Sequence, residues 1–79
     1  MESYEFVIQS KTSDIDFINK IVESYEGVGF IKTVDAKKGV ISFIVTKDFR
    51  ETAREIIEDL NRNHVKTEIC EERLWDGVL

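Results

Sequence analysis

Apolar and polar residues alternate from the start of the chain. In Ser3–Gln9, Tyr4, Phe6 and Ile8 fall on one side and Glu5, Val7 and Gln9 on the other, the pattern of a strand with one strongly apolar face. A polar connection, Ser10–Asp14, follows. Ile15, Ile18, Val22 and Tyr25 then recur at helical spacing, which predicts a helix over Asp14–Glu26. Ser13 or Asp14 is the expected N-cap, and Gly27 stands where a left-handed residue would end the helix.

Val28–Thr46 reads as a hairpin, two β-branched and aromatic runs around the polar turn Asp35-Ala36-Lys37-Lys38-Gly39. In its second strand Ile41, Phe43 and Val45 share one face and Val40, Ser42 and Ile44 the other. In its first strand either Phe30 and Val34 or Ile31 and Thr33 face inward, and the pattern allows both. Thr46–Asn63 predicts a second amphipathic helix with an apolar stripe of Phe49, Ala53, Ile56, Ile57 and Leu60 and a cap at Thr46 or Asp48. His64–Glu72 alternates again, with Val65, Thr67 and Ile69 on one side and Lys66, Glu68 and Cys70 on the other.

The resulting order is β-α-β-β-α-β. Each half is a strand-helix-strand unit with a right-handed crossover. The simplest closure is an α+β, ferredoxin-like split βαβ sandwich: a four-stranded antiparallel sheet with both helices on one face. The expected organisation is a single domain over 1–79, with residues 73–79 as a C-terminal tail. That tail holds Leu74 and the lone Trp75.

Charge and cysteine content narrow the function classes. The formal net charge is −5, which disfavours phosphate backbones and anionic membranes unless the 11 basic residues segregate to one face. The expectation is therefore no nucleic acid and no membrane. One cysteine, Cys70, precludes an intramolecular disulfide, and the first residues lack the basic and apolar regions of a secretory signal. The expected setting is the cytoplasm.

The chemistry of proteins sharing this topology is largely missing. Single-strand RNA readers stack bases on aromatics of the third strand, where this chain has Val40, Ser42 and Ile44. Metal carriers use a Cys-x-x-Cys in the first loop, which here has no thiol. His64 and Cys70 make too small a donor set for a closed zinc site. An acylphosphatase-like anion cradle would need an arginine and glycines after the first strand; only Lys11 is there, and a solvated lysine is the plainer reading. ACT-like ligand-sensing domains favour a glycine in that loop, and none is present. The charges of the second helix, Glu51, Glu55, Glu58 and Asp59 interleaved with Arg50, Arg54 and Arg62, read as a solvated face. No catalytic constellation and no cofactor motif is found, so an enzyme is not expected.

The stretch from Asp14 to Leu60 resembles a family of short bacterial proteins known only as a domain of unknown function. The likeness rests on Phe17-Ile18-Asn19, Tyr25-Glu26-Gly27, Thr33-Val34-Asp35, Val45-Thr46 and Arg50. It implies a bacterial cytoplasmic setting and no assigned activity. Most of these positions have structural readings, as turns, caps and helix ends. Asn19, Thr33 and Arg50, with Lys11, are the candidate ligand-binding residues should they cluster.

Val7, Val40 and Ile44 on the predicted open face, with Leu74 and Trp75, form the candidate interface. A solvated sheet face is normally more polar. The leading expectation is a non-enzymatic binding or assembly module, a homodimer or a module for a protein partner. The alternative is an ACT-like small-ligand regulatory domain acting in trans, with a pocket near Lys11, Asn19 and Arg50.

Overall fold

The computed structural model describes residues 2–25 and 27–75. Its elements are β1 (Ser3–Gln9), α1 (Ile15–Glu23), β2 (Gly29–Asp35), β3 (Val40–Thr46), α2 (Arg50–Asn63) and β4 (Glu68–Trp75), with short 3₁₀ turns at Thr12–Asp14 and Lys47–Phe49. The strands form one antiparallel sheet in the order β2-β3-β1-β4. This is the expected α+β, ferredoxin-like arrangement, with β1 and β3 central and β2 and β4 at the edges.

One core holds it together. Phe6 and Ile8 from β1 and Ile41, Phe43 and Val45 from β3 meet Ile18 and Val22 of α1 and Ala53, Ile56, Ile57 and Leu60 of α2. All belong to the same alternation of the central strands, so both helices cover one sheet face. Full burial of such side chains stabilises by about 1.5–3 kcal/mol each. The open choice in β2 resolves toward Ile31, which packs against the core, while Phe30 and Val34 are exposed.

Several boundaries differ from the sequence expectation. α1 ends at Glu23, not Glu26, because the chain turns at Ser24: its hydroxyl donates to the Ile21 carbonyl at 2.5 Å and the Tyr25 amide donates to Val22. Gly27 is left-handed (φ +78°), as its type predicts. Neither Asp14 nor Thr46 makes a side-chain capping bond; each adjoins a 3₁₀ turn that leads into the helix. Phe49 lies in the second of these turns, ahead of α2 and out of its phase, so it is exposed rather than part of the stripe.

β4 needs the largest correction. It begins at Glu68 because Thr67 is committed to α2: its amide donates to Asn61 Oδ1 (3.1 Å) and its hydroxyl to the Ile57 carbonyl (3.3 Å). It runs through Arg73 and Leu74 to Trp75, which pairs with Ser3. These three residues are strand rather than tail, because β1 offers hydrogen-bonding partners along its whole length. Residues 76–79 of the expected tail lie outside the described residues. A register shift opposite Val7 and Ile8 leaves Cys70 without a partner between Ile69 and Glu71.

The opposite end of the sheet is fastened by its turn. Gly39 is left-handed (φ +72°), and its carbonyl accepts from both the Ser10 amide (2.8 Å) and the Ser10 hydroxyl (2.9 Å). Thr12 Oγ1 donates to the Ala36 carbonyl at 2.7 Å.

Candidate functional site

Among the described residues, no element lies over the second face of the sheet. Pairing register sets its side chains in rows across the strands. Phe30, Ile44, Glu5 and Arg73 form one row; Lys32, Ser42, Val7 and Glu71 form the next. Val40 and Gln9 are paired beyond them, and Ser3, flanked by Thr46 and Trp75, closes the other end.

This face is not a simple solvated surface. Ile44 is 2% exposed yet stands outside the main core. Phe30 on one edge strand and Trp75 on the other meet edge to face, with ring centroids 6.2 Å apart. The edge strands are about 14 Å apart at ordinary strand spacing. Both rings therefore lean inward over the row that holds Ile44 and Glu5. Such a pair adds about 0.5–1.5 kcal/mol beyond its area. Phe30 keeps 43% of its surface exposed, so the clasp leaves an aromatic face outward.

Beneath it lies a buried carboxylate. Glu5 is 8% exposed. Its Oε2 accepts from the Ser42 hydroxyl at 2.5 Å and its Oε1 from Arg73 Nε at 2.9 Å. Arg73 also reaches Glu71 through Nη1 at 2.6 Å. The hydrogen bonds that Arg73 donates to Glu71 and Glu5 raise the pKa of its guanidinium, so it stays charged. A buried carboxylate is costly unless hydrogen-bonded and paired, and here both conditions are met. Ser42 is fully buried, so its hydroxyl is shut off from solvent.

The helix face of β4 carries a separate polar chain. Glu72 accepts from the Tyr4 hydroxyl (3.0 Å) and pairs with Arg54, whose guanidinium lies 5.7 Å from the Phe6 ring centroid. Burial and the Glu72 hydrogen bond raise the Tyr4 pKa above its usual value.

The interface candidates Val7, Val40, Ile44 and Trp75 gather on the open face. Leu74 does not: it pairs with Tyr4 on the helix side, where it is exposed. The ligand candidates are not brought into one site. Lys11 follows the end of β1 and Arg50 follows the end of β3; the two strands are antiparallel, so these residues lie at opposite ends of the sheet. Asn19 is within α1 and Thr33 within the exposed edge β2. A pocket of about 250 Å³ lies instead beside the aromatic clasp, lined by Ser3, residues 27–30, Ile44, Val45 and Thr46, none of them charged.

None of Glu5, Ser42, Arg73, Lys32 and Phe30 is among the site candidates that the sequence offers. Alternation places Glu5 and Ser42 on the same face, but only register shows that they meet. Among the described residues, no group of three or more histidine, cysteine or carboxylate residues could hold a metal ion, and no helix is long and apolar enough to cross a membrane.

A comparison with curated proteins returns no match. A family profile matches residues 8–63, well over half of the chain and all the elements from the end of β1 through α2. The chain belongs to the family described as Domain of unknown function (DUF4911).

Proposed function

We propose that this protein is a non-enzymatic binding or assembly module whose working surface is the open sheet face. The observation that carries the reading is the outward aromatic face of Phe30, held in place by Trp75 on a sheet face that no described element covers. Val7 and Val40 extend the apolar surface along the central strands. Rigid, partly exposed aromatics flanked by charge are typical of interface anchors. The buried Glu5–Ser42–Arg73 group supports the reading in another way, because it fixes the side chains around the anchor.

Self-association is the simplest form of such a module, since two-fold dimers dominate soluble oligomers. Sedimentation velocity of the wild type and Phe30→Asp, from about 10 µM to several hundred µM, tests it. The wild type is expected to sediment increasingly as a dimer, and the variant to remain a monomer. A wild type that stays monomeric throughout contradicts self-association, and a variant that dimerises as well as the wild type contradicts the use of this face.

A further inference from the structure

We propose that the pocket beside the aromatic clasp binds a small uncharged aromatic molecule carrying a hydroxyl, in its simplest form a phenol. The site goes beyond the association reading and does not depend on it, because its walls come from one chain.

Two glycines shape the space. Gly27 is left-handed, and a Cβ there would meet nothing within 4 Å, so open space lies where a side chain would otherwise point. At Gly29 a Cβ would strike the Ile44 carbonyl, so glycine lets β2 lie close against β3. The wall on that side is therefore bare backbone. Ile44 contributes apolar surface from the central strand, and Phe30, whose ring is held by Trp75, adjoins it.

The lining selects the occupant. None of the lining residues ionises, so a charged ligand would lose its hydration with no opposite charge to replace it. Phe30 favours a flat ring, which packs against it offset or edge to face. Two hydroxyls supply the polar end. Ser3 and Thr46 are partners across β1 and β3, and both line the pocket. Side chains so opposed have Cβ atoms about 4.5–5.5 Å apart, so one ligand oxygen can reach both hydroxyls. Neither hydroxyl makes a hydrogen bond among the described residues, and Thr46 does not cap the turn it precedes. Every fully buried polar side-chain atom among the described residues has a partner, so these two half-buried hydroxyls stay open to a ligand. The volume of about 250 Å³ lies just below the range of about 300–1,000 Å³ usual for ligand sites, which fits a one-ring molecule rather than a nucleotide.

A titration with p-cresol, followed in nitrogen-edited NMR spectra, tests the site. The protein is held at one fixed concentration, so that shifts from self-association cancel. Saturating shifts are expected at the amides of Gly27, Gly29, Phe30 and Val45, with a dissociation constant on the order of millimolar for so small a ligand. Thr46→Val, which keeps the side-chain shape, and Ser3→Ala are each expected to weaken binding about twofold to tenfold, since each removes one neutral hydrogen bond. The amide spectrum of each variant confirms that it is folded, and if one fails to fold the other carries the test. Benzoate and benzylamine, the same ring bearing a charge, are expected to give no saturating shift. Shifts that do not saturate, or that fall equally on the exposed aromatics Phe17, Tyr25 and Phe49, overturn the site. Folded variants that bind p-cresol as tightly as the wild type, or a wild type that binds benzoate equally well, overturn the ligand class. A wild type that binds p-cresol but never self-associates leaves this site standing while the dimer reading falls.

Discussion

Replacing Ser42 by alanine isolates the polar group beneath the aromatic clasp. Ser42 is fully buried, and its hydroxyl donates to Glu5 at 2.5 Å. Alanine fits the space but leaves Oε2 of a mostly buried carboxylate without that donor. Hydrogen bonds to charged groups contribute about 1.5–3 kcal/mol, and stranding a buried acceptor costs its desolvation. A chain of 79 residues is stable by roughly 4–12 kcal/mol, so the loss is a large fraction of the whole. At about 4–8 °C per kcal/mol, the melting temperature should fall by roughly 6–24 °C. Urea unfolding followed by Trp75 fluorescence, checked by far-ultraviolet circular dichroism, measures it. The paired variant Glu5→Ala with Ser42→Ala should recover part of the loss, since no buried acceptor is then stranded. A Ser42→Ala protein within about 0.5 kcal/mol of the wild type would refute the reasoning.

Three further outcomes follow from the same structure. Gly39→Ala combines a left-handed φ with a Cβ directed at the Ser10 carbonyl, and should cost about 2 kcal/mol or more in thermal unfolding; a loss under about 0.5 kcal/mol would show that the turn can relax. Trp75→Ala exposes Ile44 and removes the ring contact with Phe30, for about 2–3 kcal/mol in urea unfolding followed by circular dichroism, unless the ring covers nothing and the midpoint stays put. In a Tyr25→Phe background, Tyr4 is the remaining phenol; its absorbance titration should have a midpoint above 10 that moves down in Glu72→Gln. The folded pKa is raised, so this contribution to stability is complete below the unfolded pKa and is lost as pH rises through the folded one. A midpoint at or below 10 would contradict the placement of Tyr4.

The fold was legible because its central strands follow one simple rule. Alternation in Ser3–Gln9 and Val40–Thr46 separates Phe6, Ile8, Ile41, Phe43 and Val45 from the rest, and these are the residues that meet the helices. The edges were harder. In β2, Phe30 and Ile31 are both apolar, and hydropathy alone could not tell the core residue from the aromatic anchor of the other face. In β4, the extra residue at Cys70 breaks the period of two, and alternation alone ends the strand at Glu72, while β1 still has partners to offer as far as Trp75. The spacing of Phe49 fits the helical stripe, but the 3₁₀ turn at Lys47–Phe49 shifts its phase. The open face was only half legible. Val7, Val40 and Ile44 marked it as unusually apolar. The Glu5–Ser42–Arg73 group and the Phe30–Trp75 contact join residues between 37 and 68 positions apart, for which composition and periodicity carry no signal. The candidates Lys11 and Arg50 failed for the same reason: nothing local reveals that two loops lie at opposite ends of a sheet.

The central claim, that the open sheet face is where this protein associates, is tested most directly by the indole N–H resonance of Trp75. The chain has one tryptophan, so the signal is unique. In nitrogen-edited NMR spectra recorded from about 10 µM to 1 mM, it should shift with concentration together with the amides of Phe30, Lys32 and Val7, while those of α1 and α2 stay fixed. A Trp75 signal that does not move, or shifts confined to the helices, would contradict the account.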